Sequence, residues 1–286
     1  MFAYPFMVNA FWAGTIVSIV AGLMGWFMVL RRQSFAGHAL AVAGFPGAAG
    51  ATLIGVGAAW GYFSFCLLAA LAIALLPKAS GETRAEESAV TGTVQAFLLA
   101  SGFLFVSLYS GNLSGANALL FGSFLGITVA EVRALAIVGV VSLAALAAIG
   151  RPLLFASVDR EVASAAGVPV RWLSVAFLVL LGLAVAGAVQ ITGTLLVFAL
   201  LVAPAASAQA LTRRPGLGLL LSPLLALAIT WTALGLAYWW PYPIGFFVTS
   251  LAFAVYVFAR GVRVLRERSA AGRTVRRRMA GSEATA

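Results

Sequence analysis

The sequence has few charged residues and few of the side chains that most enzymes use for catalysis. Only 9% of its 286 residues are charged, whereas 63% are hydrophobic, and the mean hydropathy is +1.06. A soluble domain carries roughly 25% charged residues. The single cysteine, Cys66, excludes an intrachain disulfide. The composition therefore excludes a soluble globular protein, a disordered chain and a disulfide scaffold, and it favours a polytopic α-helical membrane protein.

Several catalytic motifs are also missing. The single lysine, Lys78, does not stand in a G-x-x-x-x-G-K-[ST] loop, so the chain is not expected to bind and hydrolyse ATP in that manner. The single histidine, His38, cannot supply an H-E-x-x-H zinc motif, and no G-x-S-x-G motif occurs. We therefore expect a chain that is not an enzyme and that needs no cofactor.

Long apolar runs separated by short breaks predict an all-α transmembrane bundle of about nine spans, within a range of eight to ten. A spanning helix needs about 20 mainly apolar residues. The uncharged run Leu173–Leu211 is 39 residues long, which is too long for one span, so we predict two helices that meet near Gln190–Gly193. The other spans are predicted near residues 10–30, 36–56, 58–76, 89–108, 132–149, 218–239 and 244–259, with a short interfacial or re-entrant helix near 118–127.

The placement of the basic residues predicts the orientation of the chain in the lipid bilayer. An external N-terminus and a cytoplasmic C-terminus put 17 of the 18 basic residues on the cytoplasmic side, leaving only Arg133 outside. A nucleic-acid surface would instead interleave basic and aromatic residues on a polar domain, so no nucleic-acid partner is expected. We predict a transmembrane domain over residues 1–262 and a disordered, basic cytoplasmic tail over residues 263–286.

The second predicted span is rich in small residues and contains both His38 and Pro46. Small residues allow helices to approach closely, and a proline inside a helix removes a backbone donor and can kink the helix. The span is either a moving helix at a dimer or pathway seam, or an ordinary closely packed helix. His38 is either a functional intramembrane group or a side chain that faces interfacial water. Candidate packing positions are Gly37, Gly44 and Gly47.

The longest amphiphilic break, Phe155–Arg171, contains the charged run Asp159-Arg160-Glu161. Ser157 followed by acidic residues indicates a helix start, and Gly167 indicates a helix end. Charged runs are usually solvated loops. The alternative is a cytoplasmic helix with which a membrane subunit docks a soluble motor.

Five motifs follow one another along roughly residues 10–260. They are Leu30–Leu40 with Phe45–Gly47, Leu120–Gly126, Asp159–Pro169, Gly193–Val197 and Leu201–Ala206. Together these motifs resemble those of integral membrane permeases of zinc/manganese-type metal-ion ABC transporters. The last motif contains Pro204, which we assign to helix packing with the three glycines of the second span.

This resemblance implies the membrane subunit of an ABC importer for a divalent metal ion, zinc or manganese, in a prokaryotic cytoplasmic membrane. It also implies a homodimer or a heterodimer with a similar permease, separate cytoplasmic ATPase subunits and an extracytoplasmic metal-binding protein. The residues that match the ATPase-docking segment are Asp159, Arg160, Glu161, Ala163 and Gly167.

His38 and Pro46 lie on the helix that faces the pathway in such permeases. In this family that helix commonly carries Asp and, four residues later, His, whereas this chain has His38 and Val42. A secondary carrier, an ABC permease for a non-metal substrate, and a channel or scaffold are the alternatives. A secondary carrier should carry buried charges for ion coupling and often an inverted repeat, and neither is evident in the sequence.

Overall fold

The computed structural model of the chain describes residues 4–75, 84–109, 126–240 and 242–283, and these ranges contain ten α-helices. The predicted all-α bundle is confirmed. The predicted interfacial helix near residues 118–127 lies almost entirely outside the described residues. The helices are α1 (Pro5–Leu30), α2 (Ser34–Leu53), α3 (Ala58–Leu75), α4 (Arg84–Leu108), α5 (Val129–Val158), α6 (Arg160–Ala165), α7 (Val170–Thr192), α8 (Thr194–Leu211), α9 (Pro215–Trp239) and α10 (Ile244–Glu283).

Seven helices in the described ranges are long and apolar enough to cross a membrane, namely α1, α3, α4, α5, α7, α9 and α10. The helices α2 and α8 lie in the same bundle, but α2 is rich in glycine and alanine, and the described apolar stretch of α8, Leu196–Leu211, is shorter than a span. The bundle therefore has seven to nine candidate spans, and the predicted nine is the upper value. Most residues of α2 are buried, so protein rather than lipid surrounds this helix, and its low hydropathy is tolerated.

The helix α2 lies at the centre of one half of the bundle and packs against α3, α4, α7 and α8. It approaches α3 so closely at Gly47 and Gly61 that a Cβ on either glycine would overlap the carbonyl group of the other. The helix α4 runs parallel to α2, since Gly92 lies against Phe35 and Gly102 lies against Phe45. Small residues thus set the distance between the helices on two sides of α2.

The helix α1 is the centre of the other half, where it packs against α5, α8 and α9. Buried polar side chains join it to α9. The Ser18 hydroxyl donates to Thr230 Oγ1 at 2.7 Å, and the Ser222 hydroxyl donates to the Gly22 carbonyl at 2.7 Å. Such interhelical hydrogen bonds are a common source of cohesion between helices in lipid, where apolar burial drives no association.

One end of the bundle collects most of the described arginines. Arg31, at the end of α1, donates hydrogen bonds to Ser157 near the end of α5 and to Ser174 near the start of α7. Arg266 of α10 donates to the carbonyl of Leu211, the last residue of α8. We call this the basic end, and its arginines are Arg31, Arg32, Arg151, Arg160, Arg171, Arg213, Arg214, Arg260, Arg263, Arg266 and Arg268.

Helix boundaries confirm one prediction and correct two. The uncharged run 173–211 does form two helices, which meet at Gly193 with a φ of 79°, in the left-handed region that glycine favours. The predicted end of α5 at Ile149 is wrong, because the helix continues through Pro152 to Val158. Leu153 is fully buried in the turn after the proline, and this packing offsets the lost backbone hydrogen bond.

The second correction concerns the start of α6. Ser157 lies inside α5, where its hydroxyl donates to the Leu153 carbonyl, and Asp159 is the residue that caps α6. The last helix, α10, continues past residue 263 to Glu283. The division into residues 1–262 and 263–286 stays a prediction.

Candidate docking segment and ion pathway

The helix α6 is a short element at the basic end, with both of its ends closed by local hydrogen bonds. At the start, Asp159 Oδ1 accepts from the backbone N–H groups of Glu161 at 3.1 Å and Val162 at 3.0 Å, which is an N-terminal cap. At the end, Gly167 has a φ of 82°. A helix of six residues is not stable alone, so these caps and its packing hold it.

The end of α6 has the two backbone hydrogen bonds of a Schellman motif. The N–H of Gly167 donates to the Ser164 carbonyl at 3.0 Å, and the N–H of Val168 donates to the Ala163 carbonyl at 3.0 Å. Positive φ is costly for a residue with a Cβ. The glycine at position 167 therefore fixes the direction in which the chain leaves α6 for α7.

The helix α6 has one buried side and one exposed side. Ala163 is fully buried, whereas Arg160 and Glu161 are exposed and Val162 is 53% exposed. The neighbouring apolar side chains of Val158 and Trp172 are 75% and 73% exposed. The segment Val158–Trp172, which we call the docking segment, thus presents charged and apolar groups together at one end of the bundle, and such a surface is typical of a protein contact. The structure places all five sequence-predicted docking residues in this segment.

His38 lies in the second turn of α2, near the basic end, and is half-buried. Its ring centroid is 4.6 Å from that of Phe198 in α8. Within the part of the chain that the structure describes, the buried Nδ1 atom of His38 has no hydrogen-bond partner. A neutral imidazole nitrogen with a free lone pair is a ligand that divalent transition metals accept.

The helix α4 brings a second unpaired polar atom to the same level of the bundle. Because α4 runs parallel to α2 with Gly92 beside Phe35, Gln95 lies at the level of His38. Its Oε1 atom is also buried, and it too has no hydrogen-bond partner among the described residues. The sequence carries no signal for Gln95, because one polar residue within an apolar run forms no motif.

The two polar groups do not form a closed metal centre. No three His, Cys, Asp or Glu side chains come together within the described ranges. Val42, one turn after His38, is apolar, and its carbonyl lacks the usual helical donor because Pro46 has no N–H. The two unpaired atoms at this level are an imidazole nitrogen and an amide oxygen, and neither belongs to a carboxylate or a thiolate.

The remaining predicted residues lie at helix contacts. A Cβ on Gly37 would overlap the Met28 side chain, and a Cβ on Gly44 would come within 2.7 Å of Val189. Gly47 meets α3 as described above. Pro46 and Pro204 are both buried inside helices, in α2 and α8 respectively.

Comparison with known proteins decides between the possible classes of membrane protein. The profile of the ABC 3 transport family matches residues 3–262. The chain belongs to the ABC 3 transport family. It is therefore a multi-pass membrane protein of a bacterial ABC transporter, and a transport subunit rather than an enzyme. The resemblance that the five motifs indicated is confirmed, and a secondary carrier is excluded.

Individual proteins are similar to the chain over most of their length. The chain is 34% identical over 215 residues to the chelated iron transport system membrane protein YfeC of Yersinia pestis, covering 75% of this chain and 72% of that protein. It is 30% identical over 230 residues to the manganese transport system membrane protein MntC of Listeria monocytogenes, covering 80% and 79%. The solved structure of PsaBC from Streptococcus pneumoniae in complex with Fab superposes with a TM-score of 0.78 at 27% identity, covering 90% and 91%.

Proposed function

We propose that the chain is the permease of an importer for a divalent metal ion, with manganese and iron as the leading substrates. The names of the two relatives above refer to chelated iron and manganese. Zinc, which the motifs suggested beside manganese, does not occur in those names. The imidazole nitrogen of His38 suits iron, the amide oxygen of Gln95 suits manganese, and so small a set of donors suits an ion that binds transiently.

The helix α6 has one side buried against the bundle and one side exposed, and this observation supports an ATP-driven mechanism. Ala163 anchors the helix to the bundle, and Arg160, Glu161 and Val162 face outward at the basic end. In the proposed mechanism, a cytoplasmic ATPase subunit binds this exposed side. Movement of α6 then shifts α5 and α7, and alternating access follows from the resulting rearrangement around α2.

We further propose that the basic end faces the cytoplasm, with the N-terminus outside and the C-terminus inside. The arginines collected there satisfy the positive-inside rule. Arg133, near the start of α5, lies at the opposite end. The exposed aromatic residues Trp239, Trp240 and Tyr242 also lie at that end, where they would form an interfacial belt.

The proposed assembly has two permeases, either two copies of this chain or this chain and a similar one. Two ATPase subunits bind at the basic end, and an extracytoplasmic metal-binding protein delivers the ion at the opposite end. The proposed transmembrane domain ends at residue 262, which is also where the family match ends. Residues 263–286 form the proposed basic cytoplasmic tail.

The substrate is tested by deleting the gene and measuring cellular manganese, iron and zinc, followed by uptake of each radiolabelled ion in the complemented strain. A selective loss of manganese or iron uptake supports the proposal. Unchanged content and uptake of all three ions contradicts it. Deleting residues 159–167 tests the docking role, because the cognate ATPase should then no longer copurify, and stoichiometric copurification would contradict that role.

The pathway role of His38 and Gln95 is tested separately. His38→Ala and Gln95→Leu are expected to lower ion uptake about tenfold while the ATPase still copurifies. Ser34→Ala, at the start of α2, is the control for a substitution near the same end of the helix. Uptake unchanged in His38→Ala would assign this histidine to interfacial water.

A further inference from the structure

Arg31 connects the end of α1 to the two helices that hold the docking segment. Its Nη1 atom donates to Ser157 Oγ at 3.3 Å, and its Nη2 atom donates to Ser174 Oγ at 2.6 Å. The guanidinium carbon lies 5.6 Å from the ring centroid of Phe177, which is fully buried in α7. One half-buried side chain thus touches both α5 and α7.

The two serines are arranged as acceptors for this arginine. The Ser157 hydroxyl donates to the Leu153 carbonyl, and the Ser174 hydroxyl donates to the Val170 carbonyl. With their hydrogens used inside their own helices, both oxygens offer only lone pairs, and guanidinium offers only donors. A planar fork of donors can hold both oxygens and stack on an aromatic ring, whereas a lysine ammonium cannot match that geometry.

The position of these contacts relates them to the docking segment. Ser157 stands two residues before Asp159, the cap of α6, and Ser174 lies in the second turn of α7. The two serines that Arg31 contacts therefore lie on either side of α6 along the chain, Ser157 before it and Ser174 after it. A displacement of α6 that moves α5 or α7 must either carry Arg31 with it or break these hydrogen bonds.

Arg31 is also attached to the start of α2. Its Nε atom donates to Gln33 Oε1 at 3.2 Å, and Gln33 is the N-cap residue of α2. The backbone of the turn between α1 and α2 is constrained. The N–H of Gln33 donates to the Met28 carbonyl at 2.9 Å, and Arg32 has a φ of 59°, which is costly for a residue with a side chain.

We propose that Arg31 is a positioning residue that transmits movement of the docking segment to α2, and so couples ATP hydrolysis to opening of the ion pathway. This inference rests on the proposed function, because it needs an ATPase that binds at α6. Arg31 touches three elements at once, namely α5, α7 and the cap of α2. Its loss leaves the ATPase-binding surface of α6 in place and removes its connection to the helix that carries His38.

The test measures ion uptake and ATP hydrolysis together in proteoliposomes that contain the complete permease–ATPase complex. In Arg31→Ala, ions transported per ATP hydrolysed are expected to fall at least about tenfold, as expected for hydrogen bonds to a charged group, while the ATPase still copurifies. Arg31→Lys keeps the charge but cannot hold both serines, so it is expected to share the defect. Arg151→Ala, which removes an exposed arginine of α5 at the same end, is the control and should keep the wild-type ratio.

A second variant keeps the proposal falsifiable if Arg31→Ala does not assemble. The double variant Ser157→Ala/Ser174→Ala removes both acceptors and leaves the arginine, and it is expected to uncouple uptake from hydrolysis to the same degree. Adding Arg31→Ala to it should then lower the ratio little further, because the three side chains act as one unit.

A wild-type ratio in Arg31→Ala, in Arg31→Lys or in the serine pair overturns the proposal. A structural role alone would lower the yield of the complex but leave the ratio in the surviving complex unchanged, and this result also overturns it. If the wild-type chain neither binds an ATPase nor transports a metal, the proposed function itself fails. That failure is distinguishable, because it affects the wild-type protein and every variant equally.

Discussion

Replacing Asp159 by alanine removes the N-terminal cap of α6 and is expected to weaken ATPase binding. Asp159 Oδ1 accepts two backbone N–H groups, from Glu161 and Val162. Loss of such a cap costs about 1 kcal/mol. A six-residue helix is not stable on its own, so we expect the lost free energy of the cap to weaken the binding of the ATPase. This free energy corresponds to a dissociation constant up to about fivefold higher.

Asparagine separates the cap from the charge at this position. Asp159→Asn keeps an acceptor oxygen and remains a good cap, so its affinity is expected to stay within about twofold of wild type. Affinity of the purified permease for its ATPase is measured by biolayer interferometry, and hydrogen exchange is followed at the amides of Glu161 and Val162. Both amides should exchange faster in the alanine variant only.

Two results would refute this reasoning. If asparagine weakens binding as much as alanine does, the carboxylate charge rather than the cap recognises the ATPase. If alanine changes neither the affinity nor the exchange of the two amides, α6 does not depend on its cap. In either case the change in ATPase affinity does not follow from the loss of the two cap hydrogen bonds.

Two further substitutions test the packing of the bundle. Gly47→Ala should destabilise the purified protein by about 1–3 kcal/mol, because the new Cβ overlaps the Gly61 carbonyl. Its control, Gly235→Ala, meets no atom within 4 Å and should be neutral or slightly stabilising, so equal thermal shifts would contradict the close contact. Ser18→Ala should lower the free energy of unfolding by about 0.6 kcal/mol, the average for an interhelical hydrogen bond in a membrane protein. Its control, Ser101→Ala, should cost less in the same chemical unfolding assay, because the Ser101 hydroxyl bonds only within its own helix in the structure.

Local sequence signals were sufficient where one segment decides its own structure. The length of the run 173–211 predicted two helices, and glycine at position 193 occupies the turn between them. Gly167 was predicted as the end of a helix and is found there. The predicted start of α6 is two residues too early, because α5 continues past Pro152 and includes Ser157 in its last turn. The continuation of α5 past Pro152 is stabilised by the burial of Leu153, and that burial depends on the other helices.

Contacts between distant segments could not be predicted in this way. Arg31 directly follows the span predicted near residues 10–30, but its hydrogen-bond partners Ser157 and Ser174 are 126 and 143 residues away. The small residues of α2 predicted close packing without indicating that Gly47 meets Gly61. Likewise, nothing local places Gln95 at the level of His38. A periodic pattern shows which face of a helix is apolar, and it carries no information on which helix covers that face.

The central position of α2 has a consequence for how the protein enters the membrane during synthesis. This helix contains His38 and Pro46 and is not one of the seven described helices that are long and apolar enough to cross a membrane. Its own partitioning into lipid is therefore weak, although the folded bundle encloses it. The flanking helices α1 and α3 are both among those seven. We expect the translocation machinery to release α2 only together with α3 as a hairpin, so that the composition of α2 slows the membrane insertion of the chain.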